Sequence, residues 1–114
     1  MMQKMLDVGP DRLTISAVVA AELAFGVARS DEAHREKNRL TLQRFINSME
    51  VLPWTHAAMW HFGEQRQRLK MSGKAIGELD LLIAAQALAL NLVVVTNNTR
   101  EFERVQGLKL ENWV

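Results

Sequence analysis

The hydrophobic pattern of this chain changes period several times along its length. Leu13 to Ser16 alternates around Thr14 and Ile15, the two-residue period of a short strand. Ala17 to Arg29 is alanine-rich and reads as a buried helix. Ser30-Asp31 is a start signal for the next helix. There Leu42, Phe45, Ile46 and Met49 recur at i, i+3, i+4 and i+7 and make one apolar face. Glu50-Val51-Leu52-Pro53 predicts a short strand with Pro53 at its end or on an edge, because proline cannot donate to a ladder. Thr55 can cap a helix running to about Ser72, and Gly73 stops it. Glu78 to Leu90 is a second buried helix. Leu92 to Thr96, with three consecutive valines and no charge, is the clearest strand, of the kind parallel sheets cover on both faces. A turn or helical piece and a short strand near Leu108 to Leu110 close the pattern. Strands alternating with helices imply an α/β sandwich with a mostly parallel sheet. The functional crevice of such a sheet lies beyond the carboxyl ends of its strands.

Composition narrows the classes. A length of 114 residues suits a single domain spanning 1–114, and 48% hydrophobic residues can fill one core. There is no cysteine, which excludes disulfides and thiolate metal sites and fits a reducing cytoplasm. A net charge of +1 announces no polyanion partner, so any nucleic-acid site must come from local clustering. Met1 to Arg12 has no signal-peptide pattern. The charge-free stretch from Leu81 to Thr99 contains Gln86 and Asn91 and ends on polar residues, so it reads as helix then strand and not as a membrane span.

Two carboxylates stand out against this pattern. Glu22 is the only charged residue between Arg12 and Arg29, and after Asp80 no charge appears until Arg100. Burying a carboxylate is costly unless something pairs with it. The plainer readings are that Asp80 favours the first turn of its helix and that Glu22 pairs with an arginine. Taken together, two carboxylates on faces otherwise built for burial suit a hard divalent ion such as Mg²⁺ or Mn²⁺ in an all-oxygen site. Thr96-Asn97-Asn98-Thr99 follows the valine strand at its carboxyl end, where hydroxyl and amide oxygens can hold a water or a phosphate, although a polar turn alone explains it. His34, His56 and His61 support neither a zinc site nor a Ser-His-Asp arrangement.

These residues fall in order into the motifs of a known family. Ile15-Ser16-Ala17-Val18-Val19-Ala20-Ala21-Glu22-Leu23 with Gly26, then Gly73-Lys74-Ala75-Ile76-Gly77-Glu78-Leu79-Asp80-Leu81-Leu82-Ile83-Ala84-Ala85, then Thr96-Asn97-Asn98-Thr99-Arg100-Glu101-Phe102, resemble the second, third and fourth motifs of PIN domains. Gly107-Leu108 through Trp113 looks like the usual ending of the VapC toxins among them. The resemblance covers nearly the whole chain from Leu13 onward. It implies a PIN-like three-layer sandwich and a Mg²⁺- or Mn²⁺-dependent endoribonuclease. Glu22 and Asp80 would be metal ligands, Asn98 would join them in catalysis, and Thr96 and Glu101 would position water or phosphate. It also implies a homodimer and a VapB-type antitoxin that plugs the site, with operator DNA bound only through the toxin–antitoxin complex. The leading substrate is the anticodon region of a tRNA, initiator tRNA first. The basic run Arg66, Arg68, Lys70 and Lys74 can grip an RNA backbone or form a solvated helix face. Trp54, Trp60 and Trp113 are expected in core or dimer packing rather than base stacking.

The chain departs from the family pattern in two places. Many PIN domains carry a fourth acid where this chain has Asn98, and Glu101 is the nearest substitute. The family also opens with a central strand ending in aspartate, and only Asp7 is available here. Five residues separate Asp7 from Leu13, whereas a parallel crossover needs about a dozen. Asp7 therefore cannot end a strand parallel to the one at Leu13. Met2 to Leu6 is expected to end a helix, and the first strand to lie upstream of Met1, leaving its two neighbours without their shared partner. The rival reading is a catalytically inactive PIN chain that only engages antitoxin or its own dimer partner. An unrelated small-molecule-binding α/β domain lacks its usual sign, a glycine-rich phosphate loop.

Overall fold

The computed structural model describes residues 4–9 and 12–112, with side chains from Thr14 onward. Five strands form one sheet in the order β3-β2-β1-β4-β5, where β1 is Lys4–Gly9, β2 Arg12–Ser16, β3 Glu50–Leu52, β4 Val93–Thr96 and β5 Lys109–Glu111. β2 pairs with β3 and β4 with β5 in parallel, while β1 runs antiparallel to both β2 and β4. Four strands thus share one direction, as expected of a mostly parallel sheet. The place between β2 and β4 is held by β1, so the helical ending expected for Met2 to Leu6 is corrected over Lys4 to Leu6, and Met2 and Gln3 lie outside the described residues. The edges expected to stand unpaired are paired. What fills the centre is not a parallel strand ending in an acid: Asp7 is opposite Leu13 on one side and Val93 on the other.

The helices follow the sequence pattern closely. α1 is Ala17–Ala28, and the Ser16 hydroxyl caps it by accepting from the Val18 N–H at 3.0 Å. α2 is Glu32–Asn47, capped by the Asp31 carboxylate on the His34 N–H at 3.0 Å. Thr55 opens a 3-10 turn over His56–Ala58 that leads into α3, Met59–Met71. α3 ends at Gly73, φ 71°, where the Lys74 N–H donates to the Leu69 carbonyl at 2.9 Å. α4, Glu78–Leu90, ends in the same way at Asn91, φ 56°, with the Leu92 N–H on the Ala87 carbonyl at 2.9 Å. α5 is the single turn Thr99–Phe102.

The core gathers around α4, where Asp80, Leu81 and every residue from Ile83 to Ala87 are buried. Ile15 and Val94 from the sheet, Val19, Leu69, Phe102 and Val105 pack against it. The expectation of a buried α1 is corrected: only Val19 of this helix is buried, and Phe25 is 63% exposed. Trp54 joins the core margin, its indole N–H donating to the Leu82 carbonyl at 2.8 Å and its ring meeting Phe62 edge to face. Trp60 is 69% exposed and takes no part in the core; Trp113 lies outside the described residues. Among the described residues no helix is long and apolar enough to cross a membrane.

Candidate active site at the carboxyl edge of the sheet

Because β2 and β4 run the same way, Ser16 and Thr96 end at the same edge. With β1 between them, the two strand ends are separated by two strand spacings, roughly 10 Å. Each delivers a candidate residue there. β2 passes directly into α1, which carries Glu22. α4 precedes β4 and runs back against it, so its first turn, with Asp80, returns to the edge where Thr96 ends. Glu22 shares one cavity wall with Leu79 and Leu82, the neighbours of Asp80 on α4. Asp80 is a buried carboxylate, 8% exposed, and Glu22 is half-buried.

Beyond β4 the chain turns at once. The buried Thr96 hydroxyl accepts the Asn98 N–H at 3.0 Å, which fixes the entry into α5. Asn98 is exposed and its side chain caps nothing in that helix. Glu101 is half-buried on α5, whose Phe102 is anchored in the core at 0% exposure. Among the described residues no three histidine, aspartate or glutamate side chains lie together in a group able to hold a metal ion. Glu22, Asp80 and Glu101 are therefore not a three-carboxylate cluster. In register with Val93, the backbone of Asp7 lies three residues from the level of Thr96, about 10 Å toward the opposite edge. The donors at the carboxyl edge are two carboxylates with neutral hydroxyl and amide oxygens. That set is of the kind that a hard divalent ion keeping several of its waters would take.

The basic run divides. Arg66 reaches across to α4 and binds Glu78 at 2.7 Å. Arg68 donates to the Arg104 carbonyl at 2.6 Å and to Gln65. Lys70 and Lys74 are exposed, and Lys70 lines a groove with Ala75 and Ile76, in the loop leading to Asp80. Gln86, in the sequence only a polar position within a charge-free stretch, has a structural role. It is 2% exposed, and its Nε2 donates to the Leu52 and Pro53 carbonyls, both at 3.1 Å, tying the end of β3 to α4. A lone amide in an otherwise apolar helix was the available signal.

The comparisons with known proteins agree with this architecture. The model of the PIN domain matches residues 3–108. Ribonuclease VapC2 of Rickettsia felis is 41% identical over 101 residues, covering 89% of this chain and 74% of its own. The tRNA(fMet)-specific endonuclease VapC of Shigella flexneri is 39% identical, covering 90% and 76%. The crystal structure of VapBC2 from Rickettsia felis bound to a DNA fragment from its promoter superposes with a TM-score of 0.83 at 40% identity, over 89% of this chain and 74% of that one. With the fold, the order of motifs and the matched span in accord, this chain belongs to the PIN-domain family.

Proposed function

We propose that this protein is an endoribonuclease toxin of the VapC type, restrained by a VapB-type antitoxin. The observation that carries the reading is that α1, α4 and the turn after β4 bring Glu22, Asp80 and the Thr96–Asn98 segment to one edge of the sheet, in a chain 41% identical to a named ribonuclease. Glu22 and Asp80 hold a divalent ion, Mg²⁺ or Mn²⁺, and Asn98 contributes a neutral oxygen. When bound, that ion supplies Lewis-acid polarisation of the scissile phosphate and an activated water. The residues of this chain do the positioning. The Thr96 hydroxyl, engaged by the Asn98 N–H, holds the turn in place. Glu101 orients water from α5, and the apolar surround of Asp80 keeps bulk solvent out.

The substrate we propose is a tRNA, cut in its anticodon region. The 39% identical Shigella flexneri relative, named as a tRNA(fMet)-specific endonuclease, supports this choice. The promoter-bound VapBC2 complex supports an antitoxin partner, with operator DNA engaged through that complex. Homodimerisation and a cytoplasmic location complete the reading. A pool of tRNAs incubated with the purified chain should yield discrete fragments, abolished by EDTA and by the partner antitoxin. Intact tRNA under all conditions would favour the rival, a binding module without catalysis.

The basic face makes a second expectation. Lys70→Ala and Lys74→Ala should each flatten the slope of log affinity against log salt by about 0.7, the share of one single-strand phosphate. Arg66→Ala should change that slope less, because its guanidinium is engaged by Glu78. Equal effects for all three, in filter binding across a salt series, would show that the ion pair opens to RNA.

A further inference from the structure

α1 is apolar around more of its circumference than the fold covers. Ala20, Ala24 and Val27 face α2 across one groove. On the other side Val18, Ala21, Glu22 and Phe25 recur at i, i+3, i+4 and i+7, and the stripe ends on Arg29 at the C-cap. With Leu79 and Leu82 of α4 this second stripe lines a cavity of about 620 Å³. Phe25 is 63% exposed there, and the Arg29 guanidinium lies over its ring, 5.2 Å from the centroid. The exposed Phe25 ring and the Arg29 guanidinium thus offer an aromatic face and a cation side by side, on the same stripe as a candidate catalytic carboxylate.

We infer that this cavity is a nucleotide subsite: a base of single-stranded RNA stacks on Phe25, and the adjoining phosphate is taken by Arg29. The inference rests on the ribonuclease reading and says where its substrate lies. Charge sets the orientation. Arg29 closes the stripe, seven residues beyond Glu22 and about 10 Å from it by helical rise. A phosphodiester is drawn to the Arg29 cation, which leaves its base on Phe25, between Arg29 and Glu22 and facing Leu82 across the cavity. Aromatic rings and guanidinium planes are the usual platforms for unstacked RNA bases. An apolar peptide side chain would also cover Phe25, but it would leave the Arg29 charge unmatched.

The test is the binding of a short fluorescein-labelled single-stranded RNA to the full chain, in EDTA so that no strand is cut. Phe25→Ala should weaken binding by roughly tenfold or more, while Phe25→Tyr keeps it. The loss should vanish when the probe is an abasic strand of the same length. Arg29→Gln should flatten the salt slope by about 0.7. Circular dichroism checks each variant, and if Phe25→Ala fails to fold, Phe25→Leu, apolar but not planar, makes the same comparison. Unchanged RNA binding by Phe25→Ala overturns the subsite and leaves the ribonuclease reading standing. So does an equal loss on the abasic strand, or a loss confined to an apolar peptide probe. A parent chain that neither binds nor cuts RNA overturns both.

Discussion

Asp80→Asn should lower RNA cleavage by at least about a hundredfold while moving stability by less than about 1 kcal/mol. Residues that merely support a metal ligand cost 10- to 100-fold when changed, roughly, so a ligand itself should exceed that range. The fold should tolerate the change because asparagine keeps the size and one oxygen of the side chain it replaces. Part of what it loses structurally is the charge in the first turn of α4, where Asp80 is the third residue. A carboxylate there gains about 0.3–1 kcal/mol from the helix dipole. Initial cleavage rates, thermal melts and Mg²⁺ titration on the same preparations separate the two roles. Undiminished cleavage would remove Asp80 from the site. Cleavage lost together with the fold would make it a structural carboxylate after all.

Most of the fold was legible because its signals are local. The Asp31 cap, the Gly73 stop and the valine run each act within a turn or a strand, and each stands where the pattern puts it. Asn91 adopts the left-handed conformation that ends α4, a role asparagine shares with glycine and which composition alone does not single out. The first strand was misread for a physical reason. The five residues between Asp7 and Leu13 rule out a parallel neighbour, but a short connection is what an antiparallel hairpin requires. The observation that excluded Asp7 as a site acid was therefore also the sign of the hairpin. α1 was misread because alanines pack well buried or exposed, and nothing in Ala17 to Ala28 tells which side the chain will cover.

The candidate site was legible as residues and not as contacts. Glu22 and Asp80 stood out because charge is scarce around them, and the topology brings both to one edge. The pairing of Arg66 with Glu78, twelve positions apart, is set by how α3 meets α4, and no periodicity along either helix reports it. The same holds for Gln86, whose partners on Leu52 and Pro53 are 34 and 33 positions away. Long-range polar contacts of this kind decide which cations are spent within the fold.

Leu6→Pro should cost more than about 3 kcal/mol and abolish cleavage with it. Leu6 sits inside the central strand, in register with Thr14 on one side and Val94 on the other. A proline there has no N–H to give, and with a neighbour on each side its ring faces a strand rather than solvent. Domains of this size have roughly 5–15 kcal/mol in total, so the loss is a large share of it. Lys109→Pro is the natural comparison, since Lys109 begins the edge strand β5, where proline is tolerated, and it should cost far less. Urea titrations of the two variants and the parent measure the difference directly. The effect should reach the site because β1 lies between the β2 side of the sheet, which leads into Glu22, and the β4 side, which leads into Asn98. Breaking it lets the two halves of the edge drift, so cleavage falls because the fold does, the opposite pattern to Asp80→Asn. A Leu6→Pro chain that melts with the parent and still cuts RNA would mean that β2 and β4 keep their places without β1, and that the hairpin is an accessory to the site rather than its frame.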